Sequence, residues 1–147
     1  MLEGERTVTI PAAAADVWAV IGDLAGYPAW HPFFAAVEVV VRDPQGRVSQ
    51  ARCEHPTPAG ALRTELRLAY EEHTSLEVTR SAGDMKAMAA SFLLHPVGDG
   101  TAVTHRIRVD PGMRLGLLLR GPVEERVRER ILTGALDGLA AHLRARG

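Results

Sequence analysis

Polar and apolar residues alternate from Glu5 to Ile10, with Val8 and Ile10 on one side and Thr7 and Thr9 on the other. This predicts a strand, ended by Pro11. The period then changes. Ala14, Val17, Trp18 and Ile21 share one face of a helix, with Asp16 near the first turn where a negative charge suits the dipole. Gly22 and Gly26 bracket Asp23-Leu24-Ala25, so a second, very short helical turn is expected before Tyr27-Pro28.

From Phe33 to Asp110 the pattern alternates again, interrupted at regular intervals by turn residues. These are Asp43-Pro44-Gln45-Gly46, Pro56 to Gly60, Glu72-His73-Thr74, Ala82-Gly83-Asp84 and Gly98-Asp99-Gly100. Six strands are expected between them, roughly 34–42, 47–55, 61–71, 75–81, 86–96 and 101–109. Short connections make them antiparallel neighbours. In the third, Leu62, Leu66, Leu68 and Tyr70 oppose Arg63, Glu65, Arg67 and Glu71, so one face meets a core and the other water. A leucine-rich loop is expected from Met113 to Leu119. Val123–Arg146 then reads as one long helix with Pro122 at or near its start and Val127, Ile131, Ala135, Leu136, Leu139 and Leu143 as its apolar stripe. The sum is an α+β architecture of a seven-stranded antiparallel sheet, two short helices and one long C-terminal helix, in one domain spanning residues 1–147.

Composition narrows the function. Lys+Arg (17) nearly balances Asp+Glu (18), which offers no electrostatic case for nucleic acid or an anionic membrane. A single cysteine, Cys53, excludes an internal disulfide framework and suits a reducing cytoplasm. The N-terminus lacks the apolar stretch of a signal peptide, and no apolar run is long enough to span a bilayer, so stable membrane insertion is not expected. The six histidines lack metal-ligand spacing, and nucleotide-binding and hydrolase motifs are missing, so neither a metal nor another cofactor is expected.

Val17-Trp18-x-Val20-Ile21-x-Asp23 followed by Tyr27-Pro28-x-Trp30-His31-Pro32 resembles the opening of START-like proteins of the polyketide cyclase/dehydrase and lipid-transport group. Gly100-Thr101-x-Val103-Thr104 and Gly134-Ala135-Leu136-x-Gly138-Leu139 are similar to later signatures of that group. The resemblance runs over essentially the whole chain. It implies a helix-grip fold, a curved sheet around the last helix with a deep apolar cavity between them. It does not imply one activity, because the superfamily holds carriers, receptors and cyclases.

On that reading several residues are candidates to touch a ligand. Alternation with Val103, Ile107 and Val109 turns His105 inward, where an imidazole could bind a carbonyl or phenol or shuttle a proton; the plainer reading is a core histidine with one partner. Trp30 and His31 fall on the short second helix, expected over one end of the cavity, with Tyr27, Phe33 and Phe34 as an aromatic rim or as ordinary packing. Arg80 shares parity with Leu76 and Val78, so it is expected inward, where it could hold a carboxylate or an enolate. Thr64 and His55 are weaker candidates. Leu66, Met88, Phe92, Ile131 and Ala135 belong to the expected inner rows. Gly134 and Gly138 on the last helix imply either close backbone packing or extra cavity space.

Two main functions follow. In the first, the cavity binds a hydrophobic small molecule of lipid, polyketide or isoprenoid type. In the second, it is a polyketide aromatase/cyclase or dehydratase, with His105 or His31 as base and Arg80 or Tyr27 polarising the enolate. A third possibility makes the Met113–Leu119 loop and cavity mouth a surface for a partner or a homodimer.

Overall fold

The computed structural model describes residues 2–58, 60–118 and 120–146. Strand β1 (Leu2–Ile10) leads into helix α1 (Ala14–Ile21) and a 3-10 helix (Leu24–Ala29). Strands β2 (Ala36–Arg42), β3 (Val48–Thr57), β4 (Gly60–Glu71), β5 (Ser75–Gly83), β6 (Ala87–Val97) and β7 (Gly100–Asp110) follow. Helices α2 (Gly112–Leu118) and α3 (Pro122–Arg146) close the chain. The strands form one antiparallel sheet in the order β1-β7-β6-β5-β4-β3-β2. Strands β2 to β7 pair consecutively through short turns, and β1 returns beside β7 with Val8 opposite Val103.

The elements match the expected α+β arrangement. Alternation sets the inner face: Leu62, Thr64, Leu66 and Leu68 on β4, Leu76 and Val78 on β5, and Val103, His105, Ile107 and Val109 on β7 are all buried. The outer face carries ion pairs between neighbouring strands, such as Arg106 with Glu5 and Arg108 with Glu3, and the troughs beside them are open to solvent. β1 begins at Leu2, earlier than the alternation alone suggests, because Leu2 pairs with Val109 and is itself buried.

Irregularities in two strand pairs, β2–β3 and β4–β5, change the parity. Val41 pairs with Gln50 and Arg42 with Val48, which leaves Ser49 without a ladder partner; its hydroxyl donates to the Val41 carbonyl instead. The extra residue shifts the face, so Val48 is buried although Ala51, Cys53 and His55 of opposite parity are buried too. On β5, Ser81 is the extra residue between Arg80 (opposite Leu66) and Ala82 (opposite Glu65).

The Met113–Leu119 stretch, expected as a loop, is helical as far as Leu118, and Leu119 lies outside the described residues, as does Ala59 in the turn before β4. Met, Arg and Leu are good helix formers, and the glycines at 112 and 116 hide that preference. Met113 and Leu117, one turn apart, are 88% and 60% exposed.

α3 begins at Pro122, has Glu124 and Glu125 in its first turn and Arg144 and Arg146 in its last, and so opposes the dipole at both ends. Its burial is uneven. Ile131, Leu132, Ala135, Leu136, Leu139 and Leu143 are buried, whereas Val123 and Val127 are only half-buried. Gly134 and Gly138 are explained by close packing and not by cavity space. A Cβ at Gly134 would lie 2.7 Å from Pro32 Cγ, and one at Gly138 would overlap the Trp30 carbonyl oxygen. The helix thus holds the Trp30–Pro32 segment directly against its backbone.

Candidate functional site

The segment after α1 turns back across the open end of the sheet. The backbone amides of Trp30 and His31 both donate to the Tyr27 carbonyl, and the Tyr27 hydroxyl donates to the Ile21 carbonyl at 2.6 Å. These bonds fix Tyr27, Trp30 and His31 over the inner face, where their rings meet Phe92 from β6 and Phe34 from the following loop.

Between this segment, the sheet and α3 lies a small hollow. Tyr27, His31, Phe33 and Phe34 line one side; Val78, Met88, Ala90, Phe92, His105, Ile107 and Val109 form the sheet side, and Ile131 closes it from α3. Its volume is about 20 Å³, enough for about one water molecule. The deep cavity implied by the resemblance is therefore nearly filled, because bulky rings and the Met88 and Ile131 side chains occupy the space between sheet and helix.

Seven of the twelve candidates come together here: Tyr27, His31, Phe34, Met88, Phe92, His105 and Ile131. Trp30, Leu66 and Ala135 are buried but pack beside the hollow without lining it. Arg80 is a correction. The bulge at Ser81 and the turn beyond it draw its guanidinium away, and its Nε and Nη2 donate to the carbonyls of Asp84 and Gly83 at 3.1 and 2.7 Å. It caps a turn and does not reach the hollow. Thr64 is also occupied. Its hydroxyl pairs with His55 Nε2 at 2.7 Å, while His55 Nδ1 lies 2.7 Å from the Phe33 carbonyl. A carbonyl can only accept, so His55 Nδ1 carries the proton and Nε2 accepts from Thr64. The pair pins β3 and β4 to the loop behind the 3-10 helix. Thr64→Val removes the donor and leaves a buried acceptor unpaired, for an expected loss of about 1–3 kcal/mol in urea denaturation. Unchanged stability would show that packing alone holds His55.

The same reasoning assigns the other two buried rings. His105 Nδ1 lies 3.0 Å from the Ser91 carbonyl and so carries a proton, which leaves Nε2 as an acceptor. That Nε2 is buried and has no protein hydrogen-bond partner among the described residues. The ring stacks on Phe92 with centroids 4.1 Å apart. His31 Nδ1 accepts from the Phe33 amide at 3.1 Å, so its neutral ring bears hydrogen on Nε2. The two imidazoles stand 5.8 Å apart, one offering an acceptor and the other a donor. Burial pushes His105 down to about 4, against the Ser91 carbonyl, which favours the charged ring. Burial also drives His31 well below the usual histidine range, helped by the neighbouring His105 and His55. Both are neutral at pH 7. At that pH His105 can receive a hydrogen bond from a hydroxyl or enol but has no Nε2 proton to give a carbonyl.

This arrangement limits the chemistry. The two groups expected to polarise an enolate, Tyr27 and Arg80, both donate to backbone carbonyls. Among the described residues no carboxylate lines the hollow to pair with either imidazole. Burial raises the Cys53 thiol to about 12, so it behaves as a small buried hydrophobe. Among the described residues no cluster of His, Cys, Asp and Glu is placed to hold a metal ion, and no helix is long and apolar enough to cross a membrane. Sequence reasoning undervalued Phe33, Ala90, Val78 and the inner row of β7 as lining. Their alternation was readable, but nothing in it distinguishes residues around a hollow from residues in a plain core.

The profile described as polyketide cyclase / dehydrase and lipid transport matches residues 1–144. No curated protein matches the sequence significantly. Among solved structures, a START superfamily protein from Mycobacterium smegmatis superposes with a TM-score of 0.86 at 19% identity, covering 100% of both chains. A STAR-related lipid transfer protein from Xanthomonas axonopodis gives 0.76 at 22%, over 97% of this chain and 85% of its own. An aromatase/cyclase from a Streptomyces species gives 0.73 at 17%, over 98% and 94%. At these identities the likeness is one of fold.

Proposed function

Since the chain belongs to the polyketide cyclase / dehydrase and lipid transport family, we propose that it binds an apolar small molecule bearing a hydroxyl or enol between the sheet and α3. The observation that carries this reading is the Nε2 of His105, without a protein partner among the described residues, in a small, mostly apolar hollow. A buried acceptor without a partner costs free energy that a ligand hydroxyl would recover. Apart from the His31 imidazole and the bonded Tyr27 hydroxyl, the rest of the lining is apolar, so affinity comes from apolar area and orientation from hydrogen bonding at His105.

The hollow as it stands holds about one water, so binding requires the wall to move. Phe33 and Ile131 are the side chains placed to do so, because they line both the hollow and an outer pocket beside it. Carriage is favoured over catalysis because the neutral imidazoles lack a carboxylate partner and the expected polarising groups are bonded elsewhere.

Titration calorimetry with 1-naphthol and naphthalene tests the reading. The expected result is a preference for naphthol of about tenfold, the worth of one hydrogen bond, abolished in His105→Leu. If neither compound binds, and native mass spectrometry of the purified protein finds no apolar passenger, the proposal fails.

A further inference from the structure

Outside the hollow, across Phe33 and Ile131, lies a second pocket of about 280 Å³. Its walls are Pro32, Phe33, Pro56, Pro58, Val127 and Ile131, with Arg126 and Arg130 from α3 at its border. Three of these residues are prolines. They give rigid apolar walls without a backbone N–H, so the hydrogen-bond donors of the lining side chains are the two guanidinium groups.

The arginines of this stretch of α3 differ in their pairing. Arg128, between them in sequence, is bound by Glu124 and Glu125 at 3.4 and 3.0 Å. Arg126 and Arg130 have no ion-pair partner among the described residues, and no acidic side chain lines the pocket. They stand one helical turn apart on one face, a like-charge spacing that disfavours the helix until an anion sits between them. Both side chains are exposed and need no reordering of the core to turn onto a ligand. Two guanidinium forks lining one apolar pocket suit a planar anion attached to an apolar body.

We propose that this outer pocket holds the anionic head of a single-chain amphiphile through Arg126 and Arg130, with its apolar chain directed past Phe33 and Ile131 toward the hollow. A carboxylate is the simplest such head. This rests on the reading of the hollow as an apolar binding site and adds the other end of the ligand.

The test compares dodecanoate with dodecan-1-ol, below the micelle threshold, on the wild type and on Arg126→Gln/Arg130→Gln. Circular dichroism checks that the doubly substituted chain is folded. Dodecanoate is expected to bind the wild type more tightly than the alcohol, with an affinity that falls as salt rises. The double substitution is expected to weaken dodecanoate about tenfold, flatten its salt dependence and leave dodecanol unchanged. Equal binding of acid and alcohol by the wild type overturns the anionic-head proposal while leaving the apolar hollow standing. Dodecanoate binding that survives the double substitution with its salt dependence intact overturns it as well. If neither amphiphile binds while naphthol does, the outer pocket is not part of the site. If none of the three binds, both proposals fall.

Discussion

Gly138→Ala is expected to destabilise the protein by about 3 kcal/mol, as read by the urea midpoint at pH 7. Taken as a helix position alone, the substitution should stabilise by about 1 kcal/mol, since glycine is the poorer helix former. The sign is reversed by what lies opposite. A Cβ at this position overlaps the Trp30 carbonyl oxygen, a backbone atom that cannot rotate away. Trp30 and His31 are tied to Tyr27 by their amides, so relieving the overlap means moving the whole segment or the helix. Gly134 provides the internal comparison. There the contact is the Pro32 ring at 2.7 Å, and a small shift of that ring relieves it, so Gly134→Ala costs less. A Gly138→Ala protein as stable as the wild type, or more so, would show that α3 does not clamp this segment.

Acidification is expected to cost at least as much. The structure needs His105 neutral, with its pKa down at about 4, while the unfolded ring takes up its proton near pH 6.5. The unfolded state therefore binds the extra proton first. Stability is fully present above about pH 6.5 and is lost as pH falls toward 4. His105 alone accounts for about 3 kcal/mol across that window. His31 adds to it in the same direction, and His55, also lowered by burial though opposed by its bond to the Phe33 carbonyl, adds a further part. Against a typical total of about 5–15 kcal/mol this is a large share. Urea denaturation at pH 7 and pH 4.5 measures it, with His105→Leu expected to show the shallower fall. Equal midpoints at the two pH values would mean that the rings are protonated, or the hollow hydrated, in the folded state.

Most of the fold was legible because burial on one face writes itself into the sequence at a period of two. His105 is the clearest case. Val103, Ile107 and Val109 placed it inward, and it is buried with them. The same rule failed for Arg80 and could not have placed Val48, since each lies beside a bulge, and one unpaired residue breaks the parity on which the rule depends. The paired glycines of α3 were visible but ambiguous: a missing side chain does not say what stands opposite it. The filling of the hollow was not legible at all. It depends on how Phe33, Phe34, Phe92, Met88 and Ile131 share one volume, and alternation records direction, not size. Thr64 and His55 drew attention as polar residues in the core. Only the geometry shows that they satisfy each other.

The uneven burial of α3 divides one continuous helix into two regions of different local stability. From Ile131 onward, opening a turn strips leucines from the sheet and tears the glycine contacts with Trp30 and Pro32, so it approaches the cost of global unfolding. Before Ile131 the apolar residues Val123 and Val127 are only partly covered, as are Glu124 and Arg128, and fraying there exposes little apolar surface. The helix is thus anchored at its C-terminal half and compliant at the half beside the outer pocket. Opening of one or two turns there would leave the sheet, the clamp and the rest of the core intact.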